Sequence, residues 1–221
     1  MSGPSLVLAS ASPRRRDLLS RLGIPFQVLP SDLAEDATHD GGRPERVAHR
    51  LAAAKARAVS AQMSTATVLA ADTVVAHRGA ILGKPHDAAE AQAMLRALRG
   101  RTHRVVTAVA VLPAGRRRPL VDHTVTCVTM RPYTDEEIAA SIAQGDPFDK
   151  AGAYAIQDAI LRPVASYEGC YCNVVGLPLW MAIRLLSRAG LDVTHVSGKQ
   201  LPPPCAHCPA LGAAASPQGR M

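Results

Sequence analysis

The chain has 221 residues, 48% of them hydrophobic and only 3% aromatic, and carries a formal charge of +7 with a pI near 9.5. It is long enough to bury one full core of Leu, Val, Ile and Ala, and no stretch approaches the roughly 20 apolar residues that span a bilayer. The basic balance points to anionic partners, and dispersed arginines with few aromatics and no nucleic-acid motif favour a phosphate-bearing small molecule over DNA or RNA.

Residues 5–9 read as a strand and 13–22 as a helix, with Ser12 as N-cap, Pro13 at the first helical position and Gly23 as the stop. Residues 26–29 read as a short strand. Pro44 opens a helix to about Ser60, with Val47, Leu51, Ala54, Ala58 and Val59 on its apolar face. Residues 67–76 form an apolar, β-branched run expected to be a buried strand, followed by a turn at His77-Arg78-Gly79 and a return at Ile81-Leu82. Asp87 caps a helix that ends at Gly100. Two strand-like runs, 103–112 and 120–130, flank Pro113-Ala114-Gly115 and three arginines, as a hairpin requires.

Thr134 with Glu137 spells a capping box for a helix that stops near Gly145. Residues 146–165 mix loop and strand, and 177–189 read as the last helix. The expected fold class is α/β, with a mixed sheet because hairpins and crossovers coexist. Residues 1–196 are expected to form one domain, and 197–221, rich in Pro, Ala and Gly, a disordered tail. The N-terminus lacks a basic region followed by a long apolar run, so no secretory signal is read and the expected location is cytoplasmic.

Five cysteines at irregular spacing do not suggest a disulfide framework. Cys170 and Cys172 are read as small packing residues. Cys205-Ala206-His207-Cys208 has zinc-like spacing but no second ligand pair nearby.

The chemistry concentrates in five segments. In Leu6-Val7-Leu8-Ala9-Ser10-Ala11-Ser12-Pro13-Arg14-Arg15-Arg16, a strand feeds a helix N-terminus beside serines and arginines. Backbone N–H groups, the positive dipole end and guanidinium groups together suit a phosphate. Lys55 interrupts an Ala-rich helix and on its own reads as a surface lysine. Asp72-Thr73 interrupts an apolar strand, where a carboxylate is costly unless paired or bound to a cation. Gly83-Lys84-Pro85 presents a lysine on a tight turn that is no P-loop. In Asp149-Lys150-Ala151-Gly152-Ala153-Tyr154-Ala155-Ile156-Gln157, Gly152 permits close backbone approach and Gln157 offers an amide that can read a base edge. Together these residues form a kit for cutting a nucleotide's phosphate chain.

These segments, with Gly100-Arg101-Thr102-His103 and Asn173-Val174-Val175-Gly176-Leu177-Pro178, resemble in order the motifs of the Maf family over residues 5–190. The resemblance implies an elongated mixed α/β fold with two lobes around a nucleotide-binding cleft, often homodimeric. It implies a nucleoside triphosphate pyrophosphatase dependent on a divalent cation, Mg2+ or Mn2+. By the same resemblance Asp72 is the catalytic base, with Lys55 and Lys84 as catalytic phosphate-holding cations. Ser10, Ser12, Arg14, Arg15, Thr73, Lys150 and Gln157 bind substrate, and Glu35 joins Asp72 in holding the metal. The family's acidic pair is reduced here to Ala34-Glu35. Arg14, Thr73 and Gln157 match the branch that hydrolyses dTTP and UTP rather than the 7-methyl-GTP branch. The rival reading is a nucleotide-binding regulator that inhibits septum formation, and a basic nucleic-acid binder stands behind both.

Overall fold

The structure, a computed structural model, describes residues 6–31, 33, 42–197 and 201–205. Glu35, and with it the expected acidic loop, lies outside the described residues. A short first strand, β1 (Leu6–Leu8), leads into α1 (Pro13–Ser20), whose N-cap Ser12 accepts from the Arg15 backbone N–H. After β2 (Gln27–Val28), the long helix α2 (Pro44–Gln62) crosses to β3 (Thr67–His77), which turns back as β4 (Ala80–Leu82). Helix α3 (Ala88–Leu98) starts at the Asp87 cap. The hairpin β5 (Thr102–Leu112) and β6 (Leu120–Met130) follows, then α4 (Asp135–Ala143) with its Thr134–Glu137 capping box in place.

The remaining stretch holds 3-10 turns at Asp146–Asp149 and Ala151–Ala153, then β7 (Val164–Glu168), α5 (Tyr171–Val175) and α6 (Leu179–Arg188). Helix α5 is absent from the sequence reading, because five residues are too few to show a helical period. The last helix begins at Leu179 rather than Leu177, with Pro178 in the N-cap position.

The strands form one mixed sheet in the order β2-β1-β3-β5-β6-β7, with β4 also on β3. β2, β1 and β3 run parallel; β3, β5, β6 and β7 alternate. Alternation along the strands divides the core. Leu6, Leu8, Leu69, Ala71, Val109 and Val111 face α1, α5 and α6. Val7, Val68, Ala70, Val74, Val106, Ala108 and Ala110 face α2. A third cluster joins Val75, Val105, Val128 and Met130 to α3 and α4.

One detail of the register creates the site. β5 occupies one edge of β3 from Val68 to Ala76. On the other edge, β1 pairs with Thr67, Val68 and Leu69, and β4 with Val75, Ala76 and His77. Between them, residues 70–74 meet no strand on that side among the described residues. The sheet therefore has a slot at Asp72 and Thr73, next to the carboxyl end of β1, where open α/β sheets offer ligands a crevice.

The structure corrects the cysteine reading: Cys172 of α5 and Cys205 form a disulfide across 33 residues. Leu201 and Cys205 are buried against the α1–α6 core, with a 3-10 turn at Pro203–Cys205. Docking of this segment onto α5 makes the pair, so spacing alone carried no sign of it.

Candidate active site

A cavity of about 270 Å3 opens at the slot in β3. Its wall includes Asp72, Lys55, Lys84, Ser10, Ser12, Arg14, Arg15, Thr73, Lys150 and Gln157, every residue singled out from the sequence except Glu35. These residues come from the β1–α1 connection and α1, α2, β3, the turn after β4, and the segment around the 3-10 turns. No cysteine or histidine is among the described residues that line it.

Asp72 and Thr73 are neighbours on β3, so their side chains leave opposite faces of the sheet. Asp72 points to the α2 side, where Lys55 Nζ donates to its Oδ1 at 2.6 Å. The two side chains are only 7% and 5% exposed. The surface-lysine reading of Lys55 is thus overturned: its helix face packs on β3, and the ammonium reaches the carboxylate below. A buried ion pair adds little stability over apolar residues of the same volume. Placed in a cavity wall, it is instead a candidate for chemistry.

Thr73 points to the other face and enters a chain of hydrogen bonds. Thr107 Oγ1 donates to the Asn173 carbonyl at 2.8 Å, so in its 2.9 Å contact with Thr73 it accepts. Thr73 Oγ1 in turn accepts from Arg15 NH2 at 3.1 Å. Arg15 also donates through Nε to the Gly176 carbonyl at 2.9 Å and through NH1 to Ser10 Oγ at 3.3 Å. Three of its N–H groups therefore tie α1 to the loop that follows β1, to β3 and to the end of α5. Gly176, at φ +120°, leaves this guanidinium room: a Cβ there would sit 3.4 Å from Arg15 Nε.

Fully buried Asn173 anchors the assembly, accepting from Thr107 N and donating to the Val105 carbonyl and Thr126 Oγ1. Thr107 and Asn173 are support residues that the sequence reading gave no role. Their roles arise from pairings 66 residues apart; the available signal was a polar side chain inside an apolar strand for Thr107 and the Asn173–Pro178 motif for Asn173.

At the rim, Arg14 NH1 and Lys150 Nζ both donate to Asp149, at 3.1 and 2.7 Å. Partial burial pushes the Asp149 carboxyl up, but the Lys150 hydrogen bond and the Arg14 charge outweigh it and hold the group below the usual carboxylate range. Asp149 thus holds two cations at the cavity mouth, a part the sequence did not assign. Gly152 brings this segment in: its N–H donates to the Gly83 carbonyl at 2.9 Å, tying the Lys150 loop to the Lys84 turn. Its φ is +71°, and a Cβ would lie 3.1 Å from Val75, so glycine is required there.

Tyr154 backs the same wall and shares a 2.7 Å hydrogen bond with buried His103. Burial, with a smaller contribution from His77, pushes the His103 imidazole down to about 4. Lys84 and Gln157 are exposed at the edge of the cavity. Away from the cavity, His49, Asp122 and His123 bring potential ligand atoms within 4.8 Å of one another. No described helix is long and apolar enough to cross a membrane.

Comparison with known proteins identifies the family. A family profile described as "Maf-like protein" matches residues 5–189. The chain is 60% identical over 205 residues to a protein of Thermomicrobium roseum named dTTP/UTP pyrophosphatase, covering 93% of each. It is 52% identical over 188 residues to one of the same name from Moorella thermoacetica, covering 85% of this chain and 96% of the relative. A third, from Deinococcus radiodurans and again of that name, is 45% identical over 196 residues, with 88% and 98% covered. With residues 5–189 matched and relatives aligned over nearly their whole length, the chain belongs to the Maf-like family.

Proposed function

We propose that this chain is a nucleoside triphosphate pyrophosphatase that hydrolyses dTTP and UTP to the monophosphate and diphosphate. The observation that carries the reading is the buried Lys55–Asp72 pair in the wall of a cavity rimmed by Arg14, Lys84 and Lys150. The names of the relatives supply the substrates.

In this reading the triphosphate enters at the cationic rim, where its oxygens take over Arg14 and Lys150 from Asp149. Lys84, on the same rim, and the N-terminus of α1 also hold the phosphate chain. A water beside Asp72 attacks the α-phosphorus, Asp72 takes its proton, and the α–β bridging bond breaks to release diphosphate. Lys55, donating to Asp72 at 2.6 Å, holds the carboxylate in place, as a positioned base requires. Arg15 acts by position: its bonds to Ser10, Thr73 and Gly176 fix the wall against which the phosphates lie. Gln157 offers an amide to the O4 and N3–H edge of uracil or thymine, and a mismatched base would leave that amide unpaired.

The candidate metal-ligand atoms lining the cavity are oxygens, among them the Asp72 and Asp149 carboxylates and the Ser10, Ser12 and Thr73 hydroxyls. With no sulfur or imidazole there among the described residues, this set suits a hard cation such as Mg2+ or Mn2+. Asp72 would hold that ion together with the substrate phosphates, and Glu35 is proposed as a further ligand. When bound, the ion neutralises charge developing on the phosphates. The family resemblance also leads us to infer a homodimer and a cytoplasmic location.

The test is to incubate the full chain with Mg2+ or Mn2+ and dTTP, UTP, CTP, GTP and 7-methyl-GTP, and to resolve products by ion exchange. dTMP and UMP with diphosphate are expected. Turnover of 7-methyl-GTP alone would overturn the base assignment, and binding without turnover would favour a nucleotide-binding regulator.

A further inference from the structure

The residues His49, Asp122 and His123 lie outside the cavity and serve none of the roles above. His49 sits in the first half of α2; Asp122 and His123 sit in the first half of β6. β7 pairs with β6 only from Cys127 to Met130. At Asp122 and His123, β6 therefore has no strand on that side among the described residues. The backbone N–H of His123 donates instead to Asp122 Oδ1, at 2.8 Å. That bond turns the Asp122 carboxylate along the strand edge, where Oδ1 comes within 3.9 Å of His123 Nδ1.

His49 Nε2 lies 2.9 Å from His123 Nδ1. A contact of that length between two ring nitrogens admits one proton, so at least one of them presents a lone pair. The rings meet edge to face, 65° apart, with centroids at 4.9 Å, so the nitrogens converge without stacking.

We propose that His49, His123 and Asp122 form a binding site for a divalent transition-metal ion, with Zn2+ the best fit, distinct from the oxygen-lined site at Asp72. Two imidazoles and a carboxylate are borderline ligands that suit Zn2+ and leave Mg2+ poorly served. Tetrahedral ligation at Zn–N of about 2.0–2.1 Å places ligand atoms roughly 3.3 Å apart. The ring nitrogens, now at 2.9 Å, open by about half an ångström; Oδ1, 3.9 Å from His123 Nδ1, closes by a similar amount, and the widest separation in the cluster, within 4.8 Å, closes by up to about 1.5 Å on side-chain rotation. Asp122 Oδ2 accepts from Arg184, which orients the carboxylate as hydrogen-bonded outer partners do. Glu45, one turn before His49, adds negative charge nearby, interacting electrostatically with both histidines. The side chains of His123 and Asp122 are 33% and 40% exposed, so an ion and a fourth, water ligand have a path in. Bound metal would clamp α2, the helix that carries Lys55, to the edge of β6.

The test uses the full-length chain stripped with a chelator and titrated with Zn2+ by calorimetry, beside His49→Gln, His123→Gln and Asp122→Asn. Each variant is first checked for an unchanged metal-free fold by circular dichroism. One ion per wild-type chain is expected, with affinity about tenfold or more weaker in each variant. Co2+ as a second probe should give a spectrum without the intense thiolate charge-transfer bands that cysteine ligation would produce. Equal binding in wild type and variants, thiolate bands, or no Zn2+ binding by the wild type would each overturn the site.

Discussion

Removing either member of the Lys55–Asp72 pair should damage stability and activity together, whereas removing both should restore stability alone. The two side chains are almost wholly buried and 2.6 Å apart, so either charge left alone has little water to turn to. Breaking such a pair from one side costs about 3–5 kcal/mol. In a chain of this size, a loss of about 3 kcal/mol lowers Tm by roughly 6–12 °C. Lys55→Met should fall in that range. Asp72→Asn should fall less, because the amide oxygen still accepts from Lys55. The double variant Lys55→Met/Asp72→Leu replaces the pair by apolar side chains of similar volume, and such replacements are neutral or stabilising. Its Tm should return to within a few degrees of wild type. Diphosphate release from dTTP should nevertheless fall by about a hundredfold or more in every variant lacking Asp72, as loss of a general base requires. Scanning calorimetry with a coupled diphosphate assay reads both quantities. Additive loss of stability in the double variant would refute the energetic argument, and near-wild-type turnover by Asp72→Asn would refute the catalytic one.

Gln157→Glu should narrow the preference for dTTP and UTP over CTP and GTP while leaving the KM for the triphosphate group little changed; unchanged selectivity would remove Gln157 from base recognition. His103, depressed to about 4 by burial, binds its proton far less readily folded than unfolded. Between about pH 6.5 and 4 the unfolded chain holds the extra proton, so stability falls as pH drops, by up to about 1.4 kcal/mol per pH unit from this group. A His103→Gln variant should show a shallower decline of Tm across that window. Reducing the Cys172–Cys205 disulfide, which closes a loop of 33 residues, should cost about 3–4 kcal/mol. The matching fall in Tm under a thiol reductant should vanish in Cys205→Ser.

The secondary elements were largely legible because their signals are local. Ser12 and Pro13 fix the start of α1, Asp87 that of α3, and Thr134 with Glu137 that of α4. The hairpin of β5 and β6 follows from two β-branched runs around a turn, and the candidate site residues were marked by polar groups in apolar runs. Family membership was legible for the same reason: the motifs are short, ordered along the chain and chemically unusual.

What the chain order could not show is which of those groups meet. Lys55 read alone as a surface lysine, because nothing in an Ala-rich helix tells which turn will lie over Asp72. The slot in β3 exists only because β1 stops at Leu8, opposite Leu69, and β4 ends at Leu82, opposite Val75, a matter of pairing register between separate strands. Arg15, Thr107 and Asn173 support the wall through contacts as far as 161 residues apart. The disulfide depends on residues 201–205 packing against α5, and His49 meets His123 across 74 residues. Composition, caps and periodicity are properties of neighbouring residues, so the sequence determined the elements, the chemistry available and the family. Convergence of side chains is set by sheet register and helix packing, so the ion pair, the cavity and the histidine cluster were decided by the tertiary structure alone.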